Sequence, residues 1–520
     1  YEIPKRDWSS DVCSSDLFTA FADAMRSTIS SQQPRQGAGI RILSETVASP
    51  TLAAQINDFL RRFPQAKWVQ WEPVGRHNAR EGSRLAFGDY VDAQYAIDKA
   101  DVILSLDADF LCTGASGLKH ARAFASRRRL EGERAQSNRL YCVESNPTNT
   151  GTRADHRLPL KASEIAGFAR AVAAQVGVAG VTAGAVPEAA NRWLAPLVKD
   201  LQASRGRCLV IAGDGQPAAV HALAHAMNDA LGNVGATVTY TQTAEAQPIN
   251  QRQALQELVG EMNAGRVQLL LILGGNPVYT APVDLQFGAA LAKVALRAHL
   301  GTYEDETAAL CHWHVPEAHF LEMWSDVRSD DGTVTIIQPM IAPLYNGRSA
   351  HEVMAVFSES GAERSGYDLV REFWAAQSGL SVEALAPSAP PAATRATPPA
   401  SAPGVATPAA GTSPAPIVAA PVPQLSAFDR EWRRWLHDGV VPNSAFAPRT
   451  VALQASAAAA AAPAAAAGSG IEVVFRPDPS IYDGRFANNA WLQELPKSLT
   501  KLTWDNAALI SPDRKSTRLN

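Results

Sequence analysis

Short apolar runs alternate with amphipathic stretches along most of this chain. Between Gly39 and about Gly177, the runs IRILSE, KWVQW, DVILSLDA and RLYCVES are typical of buried strands, whereas TLAAQINDFLRRF and SEIAGFARAVAAQV repeat their apolar residues with helical spacing. A second series begins near Arg207 and ends at Pro339, with the segments CLVIAG, AAVHALAHAMNDALG, VTYTQ, LLLILGG, KVALRAH and TVTIIQP. Strands that alternate with helices predict parallel sheets covered by helices.

We therefore expect an α/β protein whose core is two doubly wound, Rossmann-like lobes. The composition places the first lobe at residues 18–195 and the second at residues 196–386.

The pattern changes after residue 386. Residues 387–424 are almost entirely Ala, Pro, Ser, Thr, Gly and Val, which predicts a linker, and residues 455–470 form a second, Ala-rich linker. Between them, residues 425–454 contain FDREWRRWLHDG, Phe428 to Gly439, which predicts one short amphipathic helix that docks through its tryptophans. Residues 471–512 include IEVVFRPDPSIYDG and LTKLTW, and we expect them to begin a truncated β-rich domain.

The two ends of the chain look foreign. Asp7 to Leu17 reads DWSSDVCSSDL and Asp513 to Asn520 reads DRKSTRLN, and opposite strands of one DNA can encode DRKSTRLN and the SSDVCSSD within the first string. They resemble translated sequencing adapter, so residues 1–17 and 513–520 are set aside, as an expression scar would be. The native termini and any signal peptide are then expected to lie outside this fragment.

Composition narrows the class of protein. The 520 residues are 46% hydrophobic and 19% charged, with a formal net charge of −4. Without a basic stripe there is no electrostatic reason to expect nucleic-acid binding. No apolar run approaches the roughly 18 residues that span a bilayer, so we expect no direct membrane span in this stretch.

The segment LLLILGGNPVYTAPVD, Leu269 to Asp284, is the strongest local motif. Its strand ends in Gly274 and Gly275, where missing side chains allow backbone N–H groups to approach a phosphate, and Asn276 begins a sharp turn. A plain structural turn explains the same residues.

Gly213, Gly215 and Ala218 in CLVIAGDGQPAA have the GxGxxA spacing of a dinucleotide-binding turn. However, Asp214 brings negative charge into the turn, and no acidic residue ends the next strand, VTYTQ, to hold a ribose. A soluble NAD-dependent dehydrogenase is therefore a weaker interpretation than a structural turn.

The segment CHWHVPEAHFLEMW suggests a zinc site. His312, His314 and His319, together with Cys311 and Glu317, offer ligand types that zinc accepts. The alternative is a polar loop between packed elements, and we assign no metal ligand here. A zinc hydrolase is the least favoured enzyme interpretation.

Six segments in the same order resemble the molybdopterin oxidoreductase family and, more narrowly, the B-subunit family of alternative complex III, the bacterial quinol-oxidising respiratory complex. They cover nearly the whole chain outside the linkers, and their agreement in order is more specific than any one motif. The segments are ADVILSLDADFL, YCVESNPTNTGTRADHRLPL, NDALGNVGATVTYTQ, LILGGNPVYTAPVD, HWHVPEAHFLEMWSD and GRFANNAWLQELPKSLTKLTWDN.

The resemblance implies a pocket for a bis-pterin guanine dinucleotide, with molybdenum held by a loop between the early strands. The corresponding loop here is WEPVGRHNAREGS, in which Ser83 is the only serine and Glu72 the nearest carboxylate. Where the family usually has a Gly-Ser/Thr-Asn turn, this chain has Asp107 and Asp109, whose charges would repel phosphates by about 1 kcal/mol or more per close pair. We expect a vestigial pocket, formed by Asp107, Asp109, Gly213, Gly215, Gly274, Gly275 and Asn276, without a metal and without catalytic residues.

The resemblance also implies the function. Such chains are scaffold parts of an iron–sulfur subunit in a quinol:electron-acceptor oxidoreductase, exported to the periplasm by the twin-arginine route. Their expected partners are a multihaem cytochrome and integral membrane subunits, and the iron–sulfur clusters are expected in a ferredoxin-like region beyond this fragment. The competing interpretation is a catalytic subunit that binds molybdopterin.

Overall fold

The computed structural model describes residues 14–114, 116–129, 137–184, 186–359, 363–379, 426–454 and 471–510. The two predicted linkers, residues 387–424 and 455–470, lie outside the described residues, as do the foreign segment 513–520 and residues 1–13. Residues 14–17, also assigned to the foreign amino-terminal end, form the first turn of the first helix.

Thirteen strands are found in the described ranges. They are β1 Ile40–Ser44, β2 Lys67–Gln70, β3 Asp92–Tyr95, β4 Val102–Leu106, β5 Arg139–Glu144, β6 His156–Pro159, β7 Cys208–Ala212, β8 Val238–Thr241, β9 Leu269–Leu273, β10 Leu296–Gly301, β11 Trp313–Pro316, β12 Ser325–Arg328 and β13 Val334–Ile337. They form a five-stranded sheet of order β11-β10-β9-β1-β2, a four-stranded sheet of order β6-β5-β4-β7, and two antiparallel ribbons, β3-β8 and β12-β13.

Fifteen α-helices are found in the same ranges. They are α1 Ser14–Gln32, α2 Pro50–Arg62, α3 His77–Phe87, α4 Gly117–Arg127, α5 Ala162–Val176, α6 Glu188–Ala203, α7 Ala218–Ala230, α8 Gln251–Asn263, α9 Pro277–Thr280, α10 Phe287–Leu291, α11 Glu306–Ala309, α12 Ala350–Val356, α13 Gly366–Ser378, α14 Ala427–Asp438 and α15 Ala490–Glu494.

Both larger sheets are entirely parallel and are covered on both faces. In the five-stranded sheet, β1 and β9 are buried along their whole length and pair from Ile40–Leu269 to Ser44–Leu273. Helices α1, α2 and α12 cover one face, and α8 and α10 cover the other. Continuous apolar runs suit strands that are buried on both sides. The predicted α/β class with two helix-covered parallel sheets is confirmed.

The predicted division into residues 18–195 and 196–386 does not follow the sheets. The five-stranded sheet joins β1 and β2 to β9, β10 and β11, and the four-stranded sheet joins β4, β5 and β6 to β7. Each sheet therefore combines strands from both expected lobes. Apolar runs such as IRILS and LLLIL indicate burial, but their periodicity carries no information about which strand lies beside which.

Residues 471–510, which we call the C-terminal segment, differ from the β-rich domain expected there. They contain one antiparallel bridge, Asp478 to Tyr482, and the short helix α15, and no strand. Residues 471–475 have the composition of a strand, but they are exposed, and no strand in the described part of the chain pairs with them. A strand forms only when a second strand satisfies its backbone.

The helix predicted between the linkers is α14, Ala427–Asp438. Its residues Phe428, Trp432 and Trp435 are buried against α13 and the β12-β13 ribbon, where they meet Trp374 and Val334. The tryptophans therefore attach α14 to the body of the protein. In the described ranges, every helix is too short or too polar to cross a bilayer.

Candidate functional site

In each parallel sheet there is one pair of neighbouring strands from which the chain continues towards opposite edges of the sheet. In the five-stranded sheet this pair is β1 and β9, and in the four-stranded sheet it is β4 and β7. Ligands of open α/β sheets bind at such switch points, outside the carboxyl ends of the strands. We call these places the first and the second crevice.

The first crevice is lined by carboxylates. Glu45 follows β1, Glu72 lies just beyond β2, and Glu317 follows β11. Opposite them, β9 ends in Gly274 and Gly275, which both have positive φ values, of 73° and 72°. A Cβ atom on Gly275 would lie 3.0 Å from Cγ of Glu45, so the loop after β9 packs directly on this carboxylate side chain.

Arg485 of the C-terminal segment lies among these carboxylates. Its Nη2 atom is 2.5 Å from Oε1 of Glu45, 3.5 Å from Oε1 of Glu72 and 2.7 Å from Oδ2 of Asp483. Carboxylate oxygens of Glu45, Glu72 and Asp483 lie within 4.8 Å of one another, a spacing that could also suit a metal ion. The Arg485 guanidinium contacts all three of these carboxylates, so the cluster binds this side chain as its cation.

One arginine does not neutralise the whole cluster. Burial, and then the charge of Glu45, raise the pKa of Glu72 to about 7, although Arg485 acts in the opposite direction. Burial and Glu45 likewise raise the pKa of Glu317 to about 7. Burial alone would lower the pKa of Arg485, but the hydrogen bond to Asp483 and the charge of Glu45 raise it above its ordinary value. The first crevice therefore binds protons near neutral pH.

The second crevice is built around Asp107, the residue after β4. Its backbone has a positive φ of 59°, and its side chain is 3% exposed. The Nε2 atom of Gln216 donates to Oδ2 at 3.0 Å, and Nη2 of Arg476 donates to Oδ1 at 2.6 Å. Arg476 also belongs to the C-terminal segment, and it reaches Oγ of Ser145 at 3.3 Å.

Gly213, at the end of β7, is needed for packing. A Cβ atom there would lie 1.9 Å from the carbonyl oxygen of Asp107, so the loops after β4 and β7 touch backbone to backbone. A Cβ atom on Gly215 would have no other atom within 4 Å. The strand, turn and helix expected around these glycines are present as β7 and α7. The contact with Asp107 explains Gly213 without a pyrophosphate.

Two glycine N–H groups in the crevices are already hydrogen-bonded within the sheets. The backbone N–H of Gly274 donates to Leu300 O at 2.9 Å, and that of Gly213 donates to Leu106 O at 2.9 Å. These bonds extend the parallel ladders instead of pointing outward. Phosphate sites at switch points use free N–H groups, so these two N–H groups are not available to a dinucleotide phosphate, and Asp107 and Glu45 place negative charge beside them.

The remaining residues of the predicted pocket have local structural contacts. Oδ1 of Asp109 accepts from Thr150 N at 2.7 Å and so fixes the turn after β5. Asn276 caps α9, and its side chain bonds Glu306 at 2.6 Å and Thr307 at 2.7 Å. Asp107 and Gly213 meet in one crevice, and Gly274 and Gly275 line the other.

The histidines considered for zinc have separate partners. His312 bonds Arg297, with Nδ1 accepting from the backbone N–H at 3.1 Å. His314 lies 3.3 Å from His299, ring nitrogen to ring nitrogen, and His319 accepts from Leu321 N at 3.3 Å. Among the residues that the structure describes, the three histidines do not form a group of metal ligands.

The loop expected to carry a metal ligand is partly a helix. WEPVGRHNAREGS runs into α3, which packs closely along α7, since a Cβ on Gly82 would lie 2.3 Å from Cβ of His221. Ser83 is buried in α3, where its hydroxyl donates to Arg80 O at 2.8 Å and accepts from Val91 N at 3.2 Å. Glu72 faces Arg485. Both side chains are engaged in contacts within the protein.

Four residues of the two crevices were not identified from the sequence. Glu45 and Glu317 gave no signal beyond their position after a strand, although Glu317 was considered as a zinc ligand. Arg485 lies within the quoted segment GRFANNAW, and Arg476 within FRPDPS. Their partners are 440 and 369 residues away in the chain, so nothing in the local pattern connects them.

No protein-family model matches the chain. The chain is 26% identical to the menaquinone reductase, molybdopterin-binding-like subunit of Nitratidesulfovibrio vulgaris Hildenborough, over 50% of this chain and 43% of that protein. The match therefore spans less than half of the relative's length.

Two solved structures superpose loosely on this chain. Acetylene hydratase from Pelobacter acetylenicus superposes with a TM-score of 0.48 at 12% identity, over 65% of this chain and 58% of that one. The formyltransferase/hydrolase complex from Methylorubrum extorquens gives a TM-score of 0.42 at 14% identity, over 70% of this chain and 98% of that one. Superpositions this loose carry no information about the chemistry of this chain.

Proposed function

We propose that this chain is the scaffold part of an iron–sulfur subunit in a membrane-bound respiratory quinol:electron-acceptor oxidoreductase of the alternative complex III type. The six collinear segments support this proposal, and so does the distant relative, which is named as a molybdopterin-binding-like subunit of a menaquinone reductase. The two α/β sheets hold other electron carriers and subunits in place, and this part of the chain performs no bond chemistry.

The observation that carries the proposal is the acidic character of both switch points. Asp107 and Glu45 follow the central strands β4 and β1, where a pterin dinucleotide would place its phosphates. Two like charges 4 Å apart repel by about 4 kcal/mol at the effective dielectric constant of a partly buried site. The nearby N–H groups of Gly213 and Gly274 are already bonded to strand carbonyls.

The position of the expected metal ligand supports the same conclusion. Ser83, a buried residue of α3, has its hydroxyl bonded to Arg80 O and to the N–H of Val91, just before β3. The electron carriers of the proposed subunit are iron–sulfur clusters. The proposal places the protein on the periplasmic side of the inner membrane, after export by the twin-arginine route.

The partners in this proposal are a multihaem cytochrome and integral membrane subunits. Large apolar side chains are exposed on the loop between β13 and α12, at Met340, Ile341, Leu344 and Tyr345. Contiguous exposed apolar groups of this kind are typical of surfaces that another protein covers. This loop is therefore a candidate contact with a neighbouring subunit.

Metal and pterin analysis of the purified full-length protein tests the proposal. We expect iron, no molybdenum or tungsten above background, and no fluorescent pterin after acid oxidation. A known molybdopterin enzyme, expressed in the same host and processed in parallel, controls for cofactor supply and loss. About one molybdenum or tungsten atom per chain would instead establish the catalytic molybdopterin-dependent subunit.

A further inference from the structure

The C-terminal segment reaches both crevices, and in each it inserts one arginine. Arg476 contacts Asp107 in the second crevice, and Arg485 contacts Glu45 and Glu72 in the first. Among the described residues, Arg476 is the one cationic side chain within 4.0 Å of the Asp107 carboxylate. A carboxylate as enclosed as this one requires a paired positive charge.

Asp107 is arranged to receive a cation. The Gln216 amide donates to Oδ2, and Oδ1 accepts from Arg476 at 2.6 Å and from the backbone N–H of Ser145 at 3.4 Å. In the first crevice, Glu45 and Asp483 bind the Arg485 guanidinium from different sides, with Nε of Arg485 3.0 Å from Oδ1 of Asp483. Planar guanidinium groups suit such multiple carboxylate contacts better than a compact ammonium does.

Further contacts join the C-terminal segment to the rest of the described chain. Glu472 accepts from the backbone N–H of Ser163 at 3.1 Å and from its hydroxyl, and the Tyr482 hydroxyl donates to Val74 O at 3.3 Å. Gly484 lies against the ring of Tyr279, since a Cβ there would be 3.4 Å from Cε1. The large apolar residues Phe475, Trp491 and Trp504 are exposed. The ion pairs of Arg476 and Arg485 are therefore the charged part of this attachment.

We infer that the two crevices are guanidinium-binding sites, and that their ligand is the chain's own C-terminal segment, through Arg476 and Arg485. Bound at both points, the segment connects the carboxyl ends of the two parallel sheets. It occupies the positions at which a doubly wound fold would otherwise hold an anionic ligand. This inference does not depend on the proposed respiratory role.

Hydrogen–deuterium exchange of the full-length protein tests the inference. The double variant Arg476→Ala/Arg485→Ala is compared with wild type and with Arg434→Ala, which removes an exposed arginine that pairs within α14. In the double variant, we expect amide exchange in residues 471–510 to become at least about tenfold faster, while β1, β4, β7 and β9 keep their protection. Arg434→Ala is expected to leave the segment unchanged. Unchanged exchange of the segment in a folded double variant would overturn the inference.

A double-mutant cycle at the second crevice gives an independent test. Asp107→Asn keeps the shape of the side chain and removes its charge, so it should speed exchange around residue 476 about as much as Arg476→Ala does. The combination of both changes should add little more, because the two residues act through one contact. Fully additive effects of the two substitutions would show that Asp107 is not the receptor for Arg476.

Discussion

At the scale of single residues, the unusual feature is a carboxyl group that is hard to ionise. The pKa of Glu72 is raised from 4.5 to about 7 by burial and by Glu45, against the effect of Arg485. Its folded-state pKa thus exceeds its unfolded value. The stability that the protonated carboxyl provides is complete below pH 4.5, and it is lost as the pH rises through about 7.

We therefore predict that Glu72→Gln stabilises the protein more at pH 8 than at pH 5. The increase in the free energy of unfolding caused by Glu72→Gln should be about 1–3 kcal/mol larger at pH 8 than at pH 5. One pKa unit corresponds to about 1.4 kcal/mol. Urea unfolding at both pH values measures it. Glu257→Gln, on the exposed side of α8, is the matched control and should show no such difference. An equal gain at both pH values would contradict the prediction.

The sequence identified only part of the two crevices at this scale. Asp107 and Asp109 looked equivalent in the motif ADVILSLDADFL, yet Asp107 faces the second crevice and Asp109 fixes a turn. Only one residue separates Asp107 from Asp109, yet the two side chains lie in different environments. The backbone of Asp107 is left-handed and changes the direction of the chain after it. A left-handed aspartate has no reliable signature in a sequence.

At the scale of elements, the contact between the loops after β4 and β7 holds the second crevice together. A Cβ on Gly213 would lie 1.9 Å from Asp107 O, and backbone atoms cannot move aside as the tip of a side chain can. Gly213→Ala should therefore destabilise the protein by more than about 2 kcal/mol. The measurement is chemical unfolding followed by tryptophan fluorescence.

Gly215→Ala provides the control for Gly213→Ala. Gly215 lies two residues further along the same turn, and a Cβ there would meet no atom within 4 Å. Its substitution should change the unfolding free energy by less than about 1 kcal/mol. Equal losses in both variants would mean that the turn, and not the contact with Asp107, determines the need for glycine.

The strands were predictable as elements, but their order was not. Runs such as LLLIL and CLVIA gave the positions of β9 and β7 because five consecutive buried or nearly buried residues are long enough to be recognised. The insertion of β9 beside β1, with 224 residues between Ser44 and Leu269, depends on packing of whole sheets. The β-rich expectation for residues 471–510 failed for a related reason, since composition cannot supply a pairing partner.

At the scale of the whole molecule, the C-terminal segment should respond to ionic strength. Arg476 and Arg485 are about one third exposed, so salt can reach both ion pairs. The Debye length falls from about 10 Å at 0.1 M salt to about 3 Å at 1 M. We predict that limited proteolysis within residues 471–510 becomes several-fold faster at 1 M NaCl than at 0.1 M.

The double variant Arg476→Ala/Arg485→Ala is the reference for this experiment. Cleavage of its C-terminal segment should already be fast at low salt and should change little when salt is added. A protease activity control on an unstructured peptide corrects for the direct effect of salt on the enzyme. Salt-independent cleavage of the wild-type segment would contradict the prediction.

The interleaving of the two sheets also has a consequence for synthesis on the ribosome. All four strands of the β6-β5-β4-β7 sheet have been made by Ala212, whereas β1 must wait for β9, which begins at Leu269. For more than fifty codons after the smaller sheet is complete, the nascent chain carries β1 with one unpaired edge. Unpaired strand edges invite association with other chains. The amino-terminal strands should therefore be the part of this protein that most needs a chaperone during translation.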